Sequence, residues 1–113
     1  SLHDALPICE YAYALYLNTS NRLIRLVNIG IGGIDTTLVD IRFVVAEALR
    51  LNATAVALVH NHPSGCLTPS YQDDELTNNL SNACSLMKIR FVDHVIISSN
   101  GKDYYSYHDK GRV

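Results

Sequence analysis

Hydrophobic and polar positions along the chain follow two different periods, one typical of strands and one typical of helices. Residues 11–17 and 22–28 are rich in aromatic and aliphatic side chains and flank a polar turn at residues 18–21, so they predict a β-hairpin. A later run, residues 54–59, is almost wholly apolar. Such a run is typical of a strand that is buried on both faces.

Two helices are predicted by apolar residues that recur every three or four positions. The first begins after Asp40, a typical N-cap residue, and ends at Asn52. The second begins after Ser70, and in it Asp73 shares the apolar face while the next two acidic residues point to solvent. The predicted apolar positions are Ile41, Val44, Val45, Ala48 and Leu49 in the first helix, and Leu76, Leu80, Ala83, Cys84 and Met87 in the second.

The remainder of the chain predicts two more strands and one connection. Residues 89–98 show a partly alternating, mostly apolar pattern that predicts a strand. Asn100 and Gly101 form a tight-turn signal, and residues 103–107 predict the last of five strands. The glycine-rich residues 30–33 lack the spacing of a phosphate-binding loop and are predicted to be a flexible connection. The resulting fold class is α/β, with a mixed β-sheet flanked by helices.

Length and composition restrict the number of domains, the expected partners and the cellular setting. The 113 residues suit one domain, and residues 1–9 are expected to be a fragment end or a non-native segment before a domain at 10–113. A formal net charge of −2 gives no electrostatic signal for nucleic-acid binding, and no apolar stretch is long enough for a membrane span. Three cysteines without a C-x-x-C pair favour a reduced, cytoplasmic setting. No residue pattern indicates an oligomeric state.

The candidate chemistry lies where the buried strand ends, in the sequence His-Asn-His-Pro-Ser-Gly at residues 60–65. His60 and His62 are two positions apart in an extended segment, so both imidazoles point to the same side while the asparagine between them faces away. The proline and glycine that follow should end the strand there. Asp73, which faces inward at the start of the next helix, can supply a third ligand. Two imidazoles and a carboxylate are a usual ligand set for catalytic zinc.

The same residues also allow structural interpretations. Ser70 and Asp73 fit a capping box, in which the serine caps the helix and the acid reaches back to the serine amide. Asp93 and His94 are either support for a ligand histidine or a polar pair at the edge of a strand. Cys66 is either a thiol close enough to bind metal or to oxidise, or a small residue that fills the loop.

The motif resembles the JAMM, or MPN-plus, metallopeptidase signature, and in particular its bacterial RadC branch. The resemblance is carried by His60-x-His62-Pro63-x-Gly65 and Ser70-x-x-Asp73, with further matching segments at residues 47–53, 92–94 and 104–106. It implies a cytidine-deaminase-like α/β fold with one zinc ion per chain, held by His60, His62 and Asp73. It also implies that Ser70 assists a developing oxyanion and that Glu10, aligned with the upstream glutamate of the family, is the general base. Without the resemblance, Glu10 is an exposed charge at a strand end.

The function implied by the resemblance is zinc-dependent hydrolysis of a peptide or isopeptide bond in a substrate that these residues do not specify. The alternative is a non-catalytic binding module associated with DNA repair. A zinc deaminase would need the H-x-E and P-C-x-x-C signature, which the chain lacks. The close spacing of His60 and His62 also argues against an HNH nuclease, because the motif of that nuclease is dispersed over a longer hairpin-helix unit.

Overall fold

The computed structural model of the chain describes residues 10–32 and 37–113. Its strands are β1 (Ala12–Leu17), β2 (Leu23–Asn28), β3 (Gly30–Gly32), β4 (Thr37–Val39), β5 (Ala55–Asn61), β6 (Arg90–Ile97) and β7 (Tyr104–Ser106). Its helices are α1 (Ile41–Arg50) and α2 (Tyr71–Leu86). The predicted α/β class is confirmed, because five of these strands form one mixed sheet and two helices accompany it.

The strand order of the main sheet is β2-β1-β5-β6-β7, so β5 is its central strand. β1 pairs antiparallel with β2, as the predicted hairpin requires, and its other edge pairs antiparallel with β5. β5 and β6 are parallel and are joined by α2, the kind of crossover that a parallel pair needs. β7 then returns antiparallel to β6. The residues of β5 are all buried or half-buried, which agrees with its apolar sequence.

Both helices begin at the residues that the sequence predicts. The Asp40 side chain accepts a hydrogen bond from the Arg42 amide, and the Ser70 hydroxyl accepts one from the Asp73 amide. Asn52 follows the end of α1 with a φ of 54°, a left-handed conformation that asparagine tolerates. Between the sheet and the helices lies the core, which includes Ala14, Tyr16, Val44, Ala48, Val56, Leu58, Leu80 and Cys84.

The buried faces of the helices differ from the prediction at three positions. Leu49 is 48% exposed, because it lies about 100° around α1 from the buried Ala48. Met87 is 43% exposed, since it is the C-cap of α2 and no longer part of the helix. Asp74 does not point freely to solvent, because it is half-buried and pairs with Arg112 at 2.7 Å.

The predicted flexible connection is also wrong for residues 30–32. These residues form β3, which pairs antiparallel with β4 through Gly30 opposite Val39 and Gly32 opposite Thr37. Backbone hydrogen bonds hold this hairpin, and they need no particular side chain, so the glycines gave no strand signal. Gly33 and the predicted N-terminal segment, residues 1–9, lie outside the described residues. Within the described ranges, no helix has the length and apolar character needed to cross a membrane.

Candidate metal centre

Three separate elements bring the predicted site residues together at one end of the main sheet. His60 lies near the end of β5, opposite Ala12 of the antiparallel strand β1. Glu10 lies two positions before β1, so this pairing carries it to the end of β5. Asp73 lies in the first turn of α2 and is 8% exposed, which confirms that it faces inward.

The predicted acids and histidines form one cluster. Glu10, His60 and His62 each offer a ligand atom, and these three atoms lie within 4.8 Å of one another. Asp73 contacts both imidazoles, with Oδ1 at 3.1 Å from Nε2 of His60 and Oδ2 at 2.8 Å from Nε2 of His62. Glu10, His60 and His62 are therefore a candidate metal-binding group, and Asp73 lies directly beside it.

One buried atom of the cluster is not satisfied by protein groups. Nε2 of His60 makes no hydrogen bond to any part of the chain that the structure describes, since its contact with Asp73 is not aligned for one. Buried polar atoms nearly always have a partner, so this nitrogen needs an explanation. A metal ion on Nε2 would supply that partner. The donor set of imidazole nitrogen and carboxylate oxygen suits zinc.

The loop after β5 fixes the orientation of His62. Its Nδ1 donates to the carbonyl oxygen of Cys66 at 2.9 Å, which leaves Nε2 facing the carboxylate of Asp73. Both ring nitrogens therefore face oxygen acceptors. Nε2 is the His62 nitrogen that could bind a metal cation beside this carboxylate.

Asp73 caps its helix and contacts the histidines at the same time. The Ser70 hydroxyl accepts from the Asp73 amide at 3.0 Å, and Oδ2 of Asp73 accepts from the Ser70 amide at 2.8 Å. Burial by itself would raise the pKa of Asp73, but the hydrogen bond that Oδ2 accepts from the Ser70 amide helps to hold this pKa well below its usual range. The carboxylate is therefore ionised and available to a cation. The geometry therefore allows Asp73 to be part of the capping box and a candidate metal ligand at the same time.

A cavity of about 20 Å³ lies against the cluster. Its volume is that of a single water-sized group. The polar part of its wall is formed by Glu10, His60, Asp73 and His94, and the apolar part by Ala12, Val39, Leu58 and Leu76. A small reactant in this cavity would lie beside both the carboxylate of Glu10 and the candidate ligand His60.

His94 supports His60, whereas Asp93 has a different role. Nε2 of His94 lies 2.8 Å from Nδ1 of His60, and β6 is an interior strand, so His94 is not part of a polar edge. Burial lowers the pKa of His94 to about 3. Asp93 instead accepts from the Ser106 hydroxyl at 2.6 Å and from the His108 amide at 2.9 Å, which fixes the turn after β7.

Two residues to which the sequence pattern assigns no role hold parts of the site. Asn61 is 2% exposed, and its Oδ1 accepts from the Tyr11 amide at 2.8 Å, directly next to Glu10. Thr77 is buried and donates its hydroxyl proton to the carbonyl oxygen of Asp73 at 2.8 Å. Thr77 lies four positions after Asp73 and so shares its helix face, which is the one signal that could have indicated it.

The two cysteines of the described ranges differ strongly in environment. Cys66 is exposed, and backbone and side-chain hydrogen bonds with Thr68 lower its pKa, whereas burial raises the pKa of Cys84 to about 11. We expect iodoacetamide to label Cys66 of the folded protein at least about ten-fold faster than Cys84 near neutral pH. Peptide mass spectrometry gives both rates, and urea-unfolded protein, in which both thiols are accessible, is the control. Equal labelling of the folded protein would contradict this expectation. The redox sensitivity of Cys66 stays a prediction.

A mixed sheet whose central strand leads into a His-x-His sequence, followed by a helix with an inward-facing aspartate in its first turn, defines an α/β domain of the JAB/MPN class. The family model described as a RadC-like JAB domain matches residues 2–112. The chain belongs to this family, as its motifs predicted.

Relatives with curated sequences extend beyond this domain. The chain is 41% identical to a UPF0758 protein of Streptococcus gordonii (strain Challis) and 38% identical to one of Streptococcus sanguinis (strain SK36). It is also 41% identical to a UPF0758 protein of Actinobacillus pleuropneumoniae serotype 5b (strain L20). Each alignment covers 101 residues, which is 89% of this chain and 44% or 45% of the relative. The chain therefore spans less than half the length of these relatives, whose names state no activity.

Proposed function

We propose that this domain is a zinc-dependent hydrolase of an amide bond in a peptide or isopeptide linkage. The observation that carries the proposal is the convergence of Glu10, His60 and His62 around a buried His60 nitrogen that has no hydrogen-bond partner in the described ranges. A purely structural site has no chemical need for a carboxylate beside a water-sized cavity. A hydrolase needs the carboxylate as a general base and the cavity as a place for the attacking water.

The proposed zinc ligands are His60, His62 and Asp73, the same three residues that the RadC resemblance implies. Two imidazoles and one carboxylate are a three-residue set that leaves a coordination position open for water or substrate. When bound, zinc supplies Lewis acidity, which polarises a carbonyl group and lowers the pKa of water. Asp73 is suited to hold a cation, because both of its oxygens already face the candidate ligands.

Glu10 is the proposed general base. Its carboxylate is half-buried and lines the cavity next to His60, where it can take a proton from the attacking water and give it to the leaving amine. The amide of the next residue, Tyr11, is held by Asn61, which fixes the backbone beside Glu10. Ser70 is the proposed oxyanion donor. Its oxygen accepts from the Asp73 amide, and its own proton is left to donate.

Metal analysis of protein purified without added metal tests the proposal. We expect about one zinc per chain in the wild type and loss of that zinc in His60→Ala and Asp73→Asn, because each change removes a ligand. Asp103→Asn, which alters an exposed acid just before β7, is the matched control and should retain zinc. The loaded protein would then be incubated with peptide and isopeptide substrates.

The alternative is a non-catalytic binding module, which the same experiment separates from the hydrolase. A wild-type chain that contains no zinc, even after zinc is offered, would refute the hydrolase and leave Ser70 and Asp73 as a helix cap. Zinc-loaded protein that binds peptides without cleaving them would favour the binding module. The link of that module to DNA repair would require a DNA-binding surface, and a formal net charge of −2 lends it no electrostatic support.

A further inference from the structure

A chain of hydrogen bonds runs from α2 through β6 to the candidate ligand on β5. The Thr77 hydroxyl oxygen lies 2.8 Å from the carbonyl oxygen of Asp73 and 2.6 Å from Nδ1 of His94. The other nitrogen of His94, Nε2, lies 2.8 Å from Nδ1 of His60. Thr77 and His94 are each 1% exposed and His60 is 5% exposed, so these groups can satisfy one another but not exchange partners freely with solvent.

The direction of this chain follows from the acceptor at its end. A carbonyl oxygen can only accept, so the Thr77 hydroxyl donates its single proton to Asp73. The Thr77 oxygen must then accept from Nδ1–H of His94. Both His94 nitrogens are engaged by Thr77 and His60, neither of which is an acid, and a buried ring without an acidic partner is neutral. Its Nε2 therefore carries a lone pair.

The last step fixes the proton on His60. Because Nε2 of His94 can only accept, Nδ1 of His60 has to be the donor. With this proton on Nδ1, Nε2 is the His60 nitrogen left to present a lone pair to Glu10, His62 and Asp73. This conclusion agrees with the absence of a hydrogen bond from Nε2 to any described group. A lone pair on Nε2 is what metal coordination requires.

A tyrosine fixes the plane of the His94 ring. The rings of His94 and Tyr107 are stacked, with centroids 4.9 Å apart and an interplanar angle of 8°. Tyr107 is 1% exposed, and its hydroxyl donates to Asp74 of α2 at 2.6 Å. The ring of His94 is therefore held by packing as well as by Thr77, so removal of the Thr77 hydroxyl should change the proton position more than the ring position.

We propose that Thr77 and His94 are positioning residues that set the tautomer of His60, with its proton held on Nδ1 and its Nε2 facing the metal site. The purpose of this hydrogen-bonded relay of Thr77, His94 and His60 rests on the proposed zinc function. Its proton arrangement exists in the metal-free protein and can be measured there. His62 is oriented differently, since its Nδ1 donates to a backbone carbonyl. The two candidate ligands thus differ in that only the tautomer of His60 depends on side chains elsewhere in the sequence.

Proton–nitrogen NMR correlation spectra of isotope-labelled, metal-free protein test the relay directly. We expect His60 and His94 of the wild type to carry their protons on Nδ1, and Thr77→Ser, which keeps the hydroxyl, to show the same pattern. Thr77→Val removes the acceptor for Nδ1–H of His94, so the proton of His60 should redistribute toward Nε2. A wild-type spectrum with the His60 proton on Nε2 would overturn the proposal, and this spectrum decides the matter even where Thr77→Val does not fold.

Zinc affinity provides a second readout that does not depend on turnover. In competition with a chelator, Thr77→Val should bind zinc about 10- to 100-fold more weakly than the wild type, and Thr77→Ser should restore the affinity. Equal affinities of Thr77→Val and wild type would overturn the relay while leaving the hydrolase proposal intact. Failure of the wild type to bind zinc would instead overturn the hydrolase, and the NMR spectrum would still decide the relay.

Discussion

Glu10→Gln is expected to lower the turnover of the zinc-loaded protein by about 10²- to 10⁴-fold while its zinc content stays at the wild-type level. Glutamine has nearly the same size and can occupy the same wall of the cavity, but it cannot accept a proton from water. The loss should therefore appear in kcat, measured with whichever peptide or isopeptide the wild type cleaves. Metal analysis of the same sample shows whether the site is still loaded.

Glu75→Gln is the matched control for this change, because Glu75 is an exposed acid in the first turns of α2. Its turnover and zinc content should both equal those of the wild type. The zinc content of Glu10→Gln is itself decisive, since the Glu10 carboxylate lies in the same 4.8 Å group as the two histidines. Loss of zinc would make Glu10 a ligand, and unchanged turnover would remove it from the reaction.

The order of elements could be predicted because the hydrophobic period changes at each boundary. β5 is apolar on both faces, and it proves to be the central strand. Asp73 could be placed on the buried face of α2 because it lies three positions before Leu76. The hairpin of β3 and β4 could not be predicted, since two of the three residues of β3 are glycines and β4 has only three residues, which is too short to show an alternating pattern.

The site was predictable only where its residues are close in sequence or match a known motif. His60 and His62 follow from strand geometry, whereas Glu10 has no periodic signal and was assigned by the RadC resemblance alone. The contact between His60 and His94 joins positions 34 residues apart, and it depends on which strands are neighbours in the sheet. No local pattern contains that information.

The same limit explains the error at Asp74. Its position in the first turn of α2 predicts a solvent-exposed acid that interacts with the helix dipole. In the structure, the chain after β7 returns to α2, where Tyr107 donates to Asp74 at 2.6 Å and Arg112 pairs with it at 2.7 Å. Helix periodicity identifies the face that packs on the sheet, but it does not show what the end of the chain covers.

Zinc is expected to raise the melting temperature of the wild-type chain by roughly 10 °C when free zinc is about 100-fold above the dissociation constant. The proposed ligands come from β5, the loop after it and α2, so the site exists only in the folded chain. Binding to the folded state alone adds about 2.7 kcal/mol at this concentration. For a domain of this size, each kcal/mol corresponds to about 4 °C. Thermal melts followed by circular dichroism, with zinc or with a chelator, measure the shift.

Two variants of the capping box then separate the structural role of this motif from its proposed metal role. Ser70→Ala removes the acceptor of the Asp73 amide, so it should lower the free energy of unfolding by about 1 kcal/mol with or without zinc, and the zinc shift should remain. Asp73→Asn also alters the cap, but it should abolish the zinc shift, because the carboxylate that faces both histidines is lost. His108→Ala, a change to an exposed histidine outside the cluster, is the control and should keep the shift. A full zinc shift in Asp73→Asn would mean that Asp73 serves only the helix and that the ion is held by other residues, of which Glu10 is the nearest candidate.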